Sequence, residues 1–149
     1  MPSEPSRRWK SATIPKRLAL VSPLVSDYDE AIAFFSRIGF ECRENTDLGN
    51  GKHWARVAPV GGEIEILLAR AVSAEQTAMI GAQGSGRVWL FLETTAFDAD
   101  YARMLAEGIH FETEARTEPH GRVVVWKDPW GNRWDLIEFA DADRGGTES

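Results

Sequence analysis

Cysteine is nearly absent from this chain of 149 residues. Cys42 stands alone, so no intrachain disulfide can form. Histidine is scarce as well: there are three, and none sits with another histidine or the cysteine at zinc spacing. Basic residues are outnumbered, at 17 against 23 acidic ones, which leaves a net charge of −6. A nucleic-acid binder working by counterion release needs a basic face, and this balance argues against one. Long apolar runs are missing too. The longest are of the kind Val88-Trp89-Leu90-Phe91-Leu92, whereas a membrane-spanning helix needs about 20 apolar residues. These absences exclude a disulfide scaffold and a membrane span, and they set a reducing cytoplasm as the default location. What is present is 43% hydrophobic residues, enough to fill the core of one ordinary domain or of two small units fused tightly together.

The ends of the chain read as unlike its middle. Residues 1–16 hold Pro2, Pro5 and Pro15 with three serines and four basic residues, and no apolar stretch that would make a secretory signal. They are expected to be a flexible leader. Residues 140–149 are polar and contain Gly145-Gly146, and are expected to be a tail.

Between the ends lies a duplication. The segment DYDEAIAFFSRIGFE from Asp27 aligns without a gap on DADYARMLAEGIHFE from Asp98, at a constant offset of 98 − 27 = 71. Asp27/Asp98, Asp29/Asp100, Ala31/Ala102, Ile38/Ile109, Phe40/Phe111 and Glu41/Glu112 are identical pairs. Each segment opens with an aspartate suited to cap a helix, continues with apolar residues at helical spacing, and ends near Gly39 or Gly108. The surrounding residues read as strands. In the first half these are 18–25, 40–45, 53–58 and 63–69, with turns at Asn50-Gly51 and Gly61-Gly62. Pro23 marks the first as an edge or frayed strand. In the second half they are 87–93, 111–115, 122–127 and 132–139, with a tight turn at Asp128-Pro129-Trp130-Gly131-Asn132. The expected fold class is α+β: two tandem βαβββ modules, at 17–69 and 87–139, forming curled mixed sheets around a cleft. Residues 70–86 join them as a linker with a short helix near 73–80. The Gly-rich 81–86 follows no strand and belongs to that linker.

Two stretches, LVSDYDEAIAFFSRIGF and KDPWGNRWDLIEF, give the chain a resemblance to the vicinal oxygen chelate superfamily, which holds glyoxalase I, extradiol dioxygenases, fosfomycin-resistance enzymes and bleomycin-resistance proteins. The resemblance covers about residues 17–139. It implies two metal ligands from each half, typically a histidine on the first strand and a glutamate on the last. Carried over, the first histidine position falls on Leu20 and the second on Arg87, while the carboxylate positions fall on Glu65 and Asp135. Leucine cannot ligate a metal, and arginine offers only donors and repels a cation. The expected protein therefore holds no metal and no cofactor. His53 and His120 are the residues that would have to rebuild a metal site; His110 sits at a helix end.

Strand alternation sorts the rest of the expected cleft. Glu65 shares its face with Glu63 and Leu67, Arg87 with Trp89 and Phe91, Asp135 with Arg133 and Ile137, and Leu20 with Ser22 and Leu24. The ligand-binding set is then Leu20, Glu65, Leu67, Arg87, Trp89, Phe91 and Asp135. Arg87 either holds an anionic group of a ligand or only neutralises Glu65 or Asp135. Cys42 is expected to be a small buried apolar residue, and Trp130 the tryptophan most exposed. Two functions stand side by side. One is a metal-free protein of the bleomycin-resistance type that sequesters a small organic ligand. The other is a metal-dependent glyoxalase-like lyase or isomerase, or a dioxygenase, with an atypical ligand set. A domain with no ligand of its own remains a third. A homodimer is expected, since members of this superfamily commonly pair and open strand edges need cover.

Overall fold

The computed structural model describes residues 16–141. The expected leader falls outside them apart from Lys16, and so does the expected tail apart from Ala140 and Asp141. The elements run β1 (Leu20–Val21), β2 (Leu24–Val25), α1 (Tyr28–Arg37), β3 (Phe40–Gly49), β4 (Lys52–Pro59) and β5 (Glu65–Arg70). They continue with α2 (Ala74–Met79), β6 (Val88–Glu93), α3 (Phe97–Ala106), β7 (His110–Phe111), β8 (Arg116–Glu118), β9 (Gly121–Lys127) and β10 (Arg133–Phe139). Each half builds its own five-stranded mixed sheet. The first is ordered β1-β5-β4-β3 with β2 also on β5, and the second β6-β10-β9-β7 with β8 on β9. β1 and β2 pair parallel to β5, and β6 parallel to β10, and the remaining ladders are antiparallel. The fold is α+β, with curled, open sheets of the βαβββ kind.

Local chemistry explains where elements start and stop. Asp27 caps α1, its carboxylate accepting from the Glu30 N–H at 2.8 Å. The counterpart expectation for Asp98 is corrected. Helix α3 starts at Phe97, ahead of Asp98, and the Phe97 N–H is taken by the Glu138 carboxylate at 3.1 Å. Asp98 lies in the first turn and pairs with Arg122. The expected strand 18–25 breaks at Ser22-Pro23 into β1 and β2, because proline cannot donate to the ladder. The gap is closed by side chains: the Ser22 hydroxyl donates to the Leu67 carbonyl, and the Gln83 side-chain oxygen accepts from the Leu24 N–H at 2.8 Å. The turn 128–132 is organised around Asp128. Its carboxylate accepts the N–H groups of Trp130, Gly131 and Asn132 and the indole N–H of Trp134.

One hydrophobic core serves both halves. Phe34 and Phe35 of α1 reach the second sheet, Phe34 packing on Trp126 and Phe35 on Trp134 and Trp130. Trp126 and Trp134 stack with ring centroids 4.8 Å apart. Trp130 is thus half-buried against two phenylalanines, and among the described residues the exposed tryptophan is Trp54 instead. Cys42 is exposed, contrary to expectation, because β3 extends through Gly49 as an outer strand with most of its residues in solvent.

This packing fixes the orientation of the sheets. Val21, Ala55, Val57, Ile66 and Leu68 of the first sheet point into the shared core, as do Leu90, Leu92, Val124, Trp126, Trp134 and Leu136 of the second. By alternation, Leu20, Trp54, Arg56, Glu65 and Leu67 lie on the far face of one sheet, and Trp89, Phe91 and Asp135 on the far face of the other. Neither set belongs to the shared core.

Candidate functional site

On the far face of the first sheet, Leu20 of β1 is registered opposite Glu65 of β5. That pairing is what the family resemblance requires of a histidine and a glutamate, with leucine in the histidine's place. Glu65 is fully engaged. One carboxylate oxygen accepts from Arg43 at 3.1 Å, and the other makes a short ion pair with Arg56. Arg43 also pairs with Glu41, and Arg56 with Glu44. The hydrogen bond from Arg56, and then that from Arg43, hold the Glu65 carboxyl below the ordinary carboxylate range, against the opposing pull of burial. Glu44 is likewise lowered, by hydrogen bonds from Thr46 and Arg56.

Neither arginine was legible as a site residue. Arg56 could have been read from alternation with Trp54 along β4. Arg43 reaches Glu65 from the irregular stretch of β3 where the register shifts between Cys42 and Glu44, and no sequence signal marks that bulge.

The second sheet treats its carboxylate differently. Asp135 of β10 is registered opposite Phe91 of β6. Phe91, not Arg87, therefore stands where Leu20 stands in the first sheet, and the assignment of the second histidine position to Arg87 is corrected. The repeat offset of 71 also carries Leu20 onto Phe91, so the duplication itself marks this position. Asp135 is only 8% exposed, and its Oδ1 has no hydrogen-bond partner. Burial pushes its carboxyl above the ordinary range, and the charges of Arg116, Arg133 and His120 oppose that shift. Beside it Phe91 is 61% exposed. Arg87 lies in solvent just ahead of β6, and among the described residues its side chain pairs with neither Glu65 nor Asp135.

The residues present do not fit a divalent ion. Two guanidinium groups sit on Glu65, and a leucine and a phenylalanine occupy the positions facing the two carboxylates. His53 stacks on Tyr28 at 4.8 Å, bonds the Asn45 side-chain oxygen at 2.7 Å, and with Tyr28 lines the cavity described below. His110 and His120 are exposed on the second sheet. Among the described residues no group of three or more His, Cys, Asp or Glu is placed to hold a metal.

Further along β5, past Glu65 and lined by its residues Leu67 to Arg70, opens a cavity of about 750 Å³. Leu24, Leu67, Tyr28 and Trp54 form its apolar walls, and Gln83 and Arg70 supply polar ends. This is the size and composition of a site for a small organic molecule. Of the expected ligand-binding set, Leu67 lines this cavity, while Leu20 and Glu65 are on the same sheet but outside its lining. Trp89, Phe91 and Asp135 lie together on the other sheet. No helix among the described residues is long and apolar enough to cross a membrane.

Comparison with known proteins places this geometry. A protein of Shewanella frigidimarina (strain NCIMB 400) without an assigned role is 41% identical over 124 residues, covering 81% of this chain and 92% of its own. The crystal structure of TnmS3, an antibiotic-binding protein from Streptomyces sp. CB03234, is similar at 27% identity and a TM-score of 0.71, over 87% of this chain and 100% of that one. That of UcmS2 is similar at 26% identity and a TM-score of 0.71, over 83% and 98%. Residues 17–136 match the Glyoxalase/Bleomycin resistance protein/Dioxygenase superfamily, and the chain belongs to that superfamily.

Proposed function

We propose that this protein binds a small organic molecule without a metal, with the ligand lying along the far face of the first sheet and in the adjoining cavity. The observation that carries this reading is the state of Glu65: both oxygens are held by arginines and its partner position is Leu20. A carboxylate so engaged is not free to ligate a cation. Tyr28, Trp54 and Leu67 offer apolar and aromatic surface to a flat or amphipathic ligand, and Gln83 and Arg70 offer polar ends to orient it. Similarity to an antibiotic-binding protein supports the same class of ligand.

The reading extends to a homodimer. In this proposal Phe91 and Asp135 of one protomer complete the cleft over the first sheet of a partner. The exposed Phe91 and the open outer strands favour such pairing. A dimer in sedimentation at micromolar concentration is expected, and a monomer would remove this part of the proposal.

The test of the binding reading is calorimetric titration with a panel of planar aromatic antibiotics. At least one is expected to bind saturably, and Trp54→Ala to weaken it by about tenfold or more, the effect of removing an aromatic anchor. No binding across the panel, or unchanged affinity in Trp54→Ala, would overturn it.

A further inference from the structure

The Gly-rich segment that follows α2 is not a loose connection. It folds back on the turn that joins β9 to β10. Gly81 lies so close to the Trp130 carbonyl that a Cβ there would fall 1.9 Å from that oxygen, and a Cβ on Gly84 would fall 2.8 Å from that of Trp89. Only glycine permits this approach at either position. Between the segment and the turn is a recess of about 110 Å³, lined by the glycines together with Arg87, Trp89, Lys127 and Arg133. At about 30 Å³ per water this is room for roughly three or four waters. It suits an oxyanion and is too small for an aromatic ring system.

The charge in the recess is unbalanced. Arg133 is tied to Glu112 at 3.0 Å and donates to the Gly86 carbonyl at 2.9 Å, while Lys127 stands 3.6 Å from the same Glu112. One carboxylate thus serves two cations. Arg87, the third, has an exposed side chain with no ion pair or side-chain hydrogen bond among the described residues. Three positive groups against one negative group leave a local excess of positive charge in a chain whose net charge is −6. Such a concentration of donors around a preformed, glycine-walled recess is the chemistry that selects phosphate-like groups.

We infer that this recess is a binding site for a small oxyanion of the phosphate class, with Arg87 as its free anchoring charge. Arg133 and Lys127, held in place by Glu112, set the field, and the Gly81–Gly86 segment gives the group close access to the backbone. Trp89 forms one wall and leads along β6 to Phe91. An anion in the recess can therefore be the terminal group of a molecule lying on the far face of the second sheet, or a free ion. The oxyanion site does not rest on the organic-ligand reading; only the identity of what carries the anion does.

The probe is inorganic phosphate, titrated into the full chain by calorimetry at low ionic strength. Saturable binding is expected, and Arg87→Ala should weaken it by about tenfold or more, the loss of one charge-assisted contact. Arg87 is exposed and unpaired, so its removal leaves the fold intact; an unchanged melting temperature checks this. Arg122→Ala, on a solvent-exposed pair elsewhere on the second sheet, should leave phosphate affinity as it was. Phenyl phosphate separates the two sources. Tighter binding than phosphate, with quenching of tryptophan fluorescence, assigns the anion to an aromatic ligand, and equal binding assigns it to a free ion. Absence of saturable phosphate binding, or equal weakening in Arg87→Ala and Arg122→Ala, would overturn the assignment. Failure of the antibiotic panel with phosphate binding intact would overturn the organic-ligand reading and leave this one standing.

Discussion

The far faces of the two sheets descend from the same duplicated plan and handle their carboxylates in opposite ways. On the first, Glu65 is saturated by Arg43 and Arg56, which in turn hold Glu41 and Glu44. On the second, Asp135 is more deeply buried, keeps an unpartnered oxygen, and faces a largely exposed phenylalanine. The register is shared: the first strand of each half lies parallel to the last, with an apolar residue opposite the acid. What differs is the supply of cations. The first sheet has a long β3–β4 ribbon whose bulge swings Arg43 inward, whereas the strand after the second helix is broken into β7 and β8. The shared topology thus carries one acid neutralised by two arginines and one buried acid with an unpartnered oxygen, and neither is arranged to share a metal.

The comparison presupposes that both faces belong to one folding unit, and the largest effect tests that. Phe35 joins α1 to Trp130 and Trp134 across the core. Phe35→Ala should cost about 3–5 kcal/mol, as for other buried phenylalanines, and should do so in one cooperative transition followed by circular dichroism in denaturant. Two separated transitions in the wild-type protein would show that the halves are independent and would break the comparison.

The next effects are of opposite sign. Glu65→Gln leaves two arginines facing a neutral amide and should lower the melting temperature at neutral pH. Because the native Glu65 carboxyl titrates below its unfolded value, its stabilisation is present above the ordinary carboxylate range and is lost as pH falls through the lowered native value. Glu65→Gln should therefore flatten the acid limb of a stability profile. Asp135 runs the other way. Its raised native value favours folding at acid pH, and that contribution is lost as pH rises through it. Asp135→Asn should accordingly gain stability at neutral pH relative to acid pH. Equal effects of the two substitutions, measured by thermal melts across pH, would erase the distinction between the faces.

Phe91→Ala sharpens the contrast with the smallest change. The side chain is exposed in the single chain, so monomer stability should move by no more than about 0.5 kcal/mol. Dimer dissociation measured by sedimentation should rise, because the proposed pairing buries this ring.

The fold was readable because its signals are local. The repeat at Asp27 and Asp98, the capping Asp27, the Asn50-Gly51 turn and the Asp128 turn each act over a few residues. The site was readable only in part. Leu20, Glu65 and Asp135 follow from the family resemblance, and strand parity sets Leu67 on the face of Glu65 and Trp89 on that of Phe91. Arg43 was not legible, because it reaches Glu65 from a bulge that shifts register; the second histidine position was, since the repeat offset of 71 carries Leu20 onto Phe91. The mutual orientation of the two sheets was also hidden. It depends on Phe34 and Phe35 packing across the module boundary, a long-range choice that periodicity within one helix does not reveal.

The most direct measurement is a paired titration. The protein is stripped with chelator, its metal content is checked by mass spectrometry, and the best-binding aromatic antibiotic of the panel is titrated before and after addition of manganese, nickel or zinc. The account predicts the same Kd in every case and no stoichiometric metal retained. Binding that appears only with a divalent ion, together with metal held at one per chain, would contradict it.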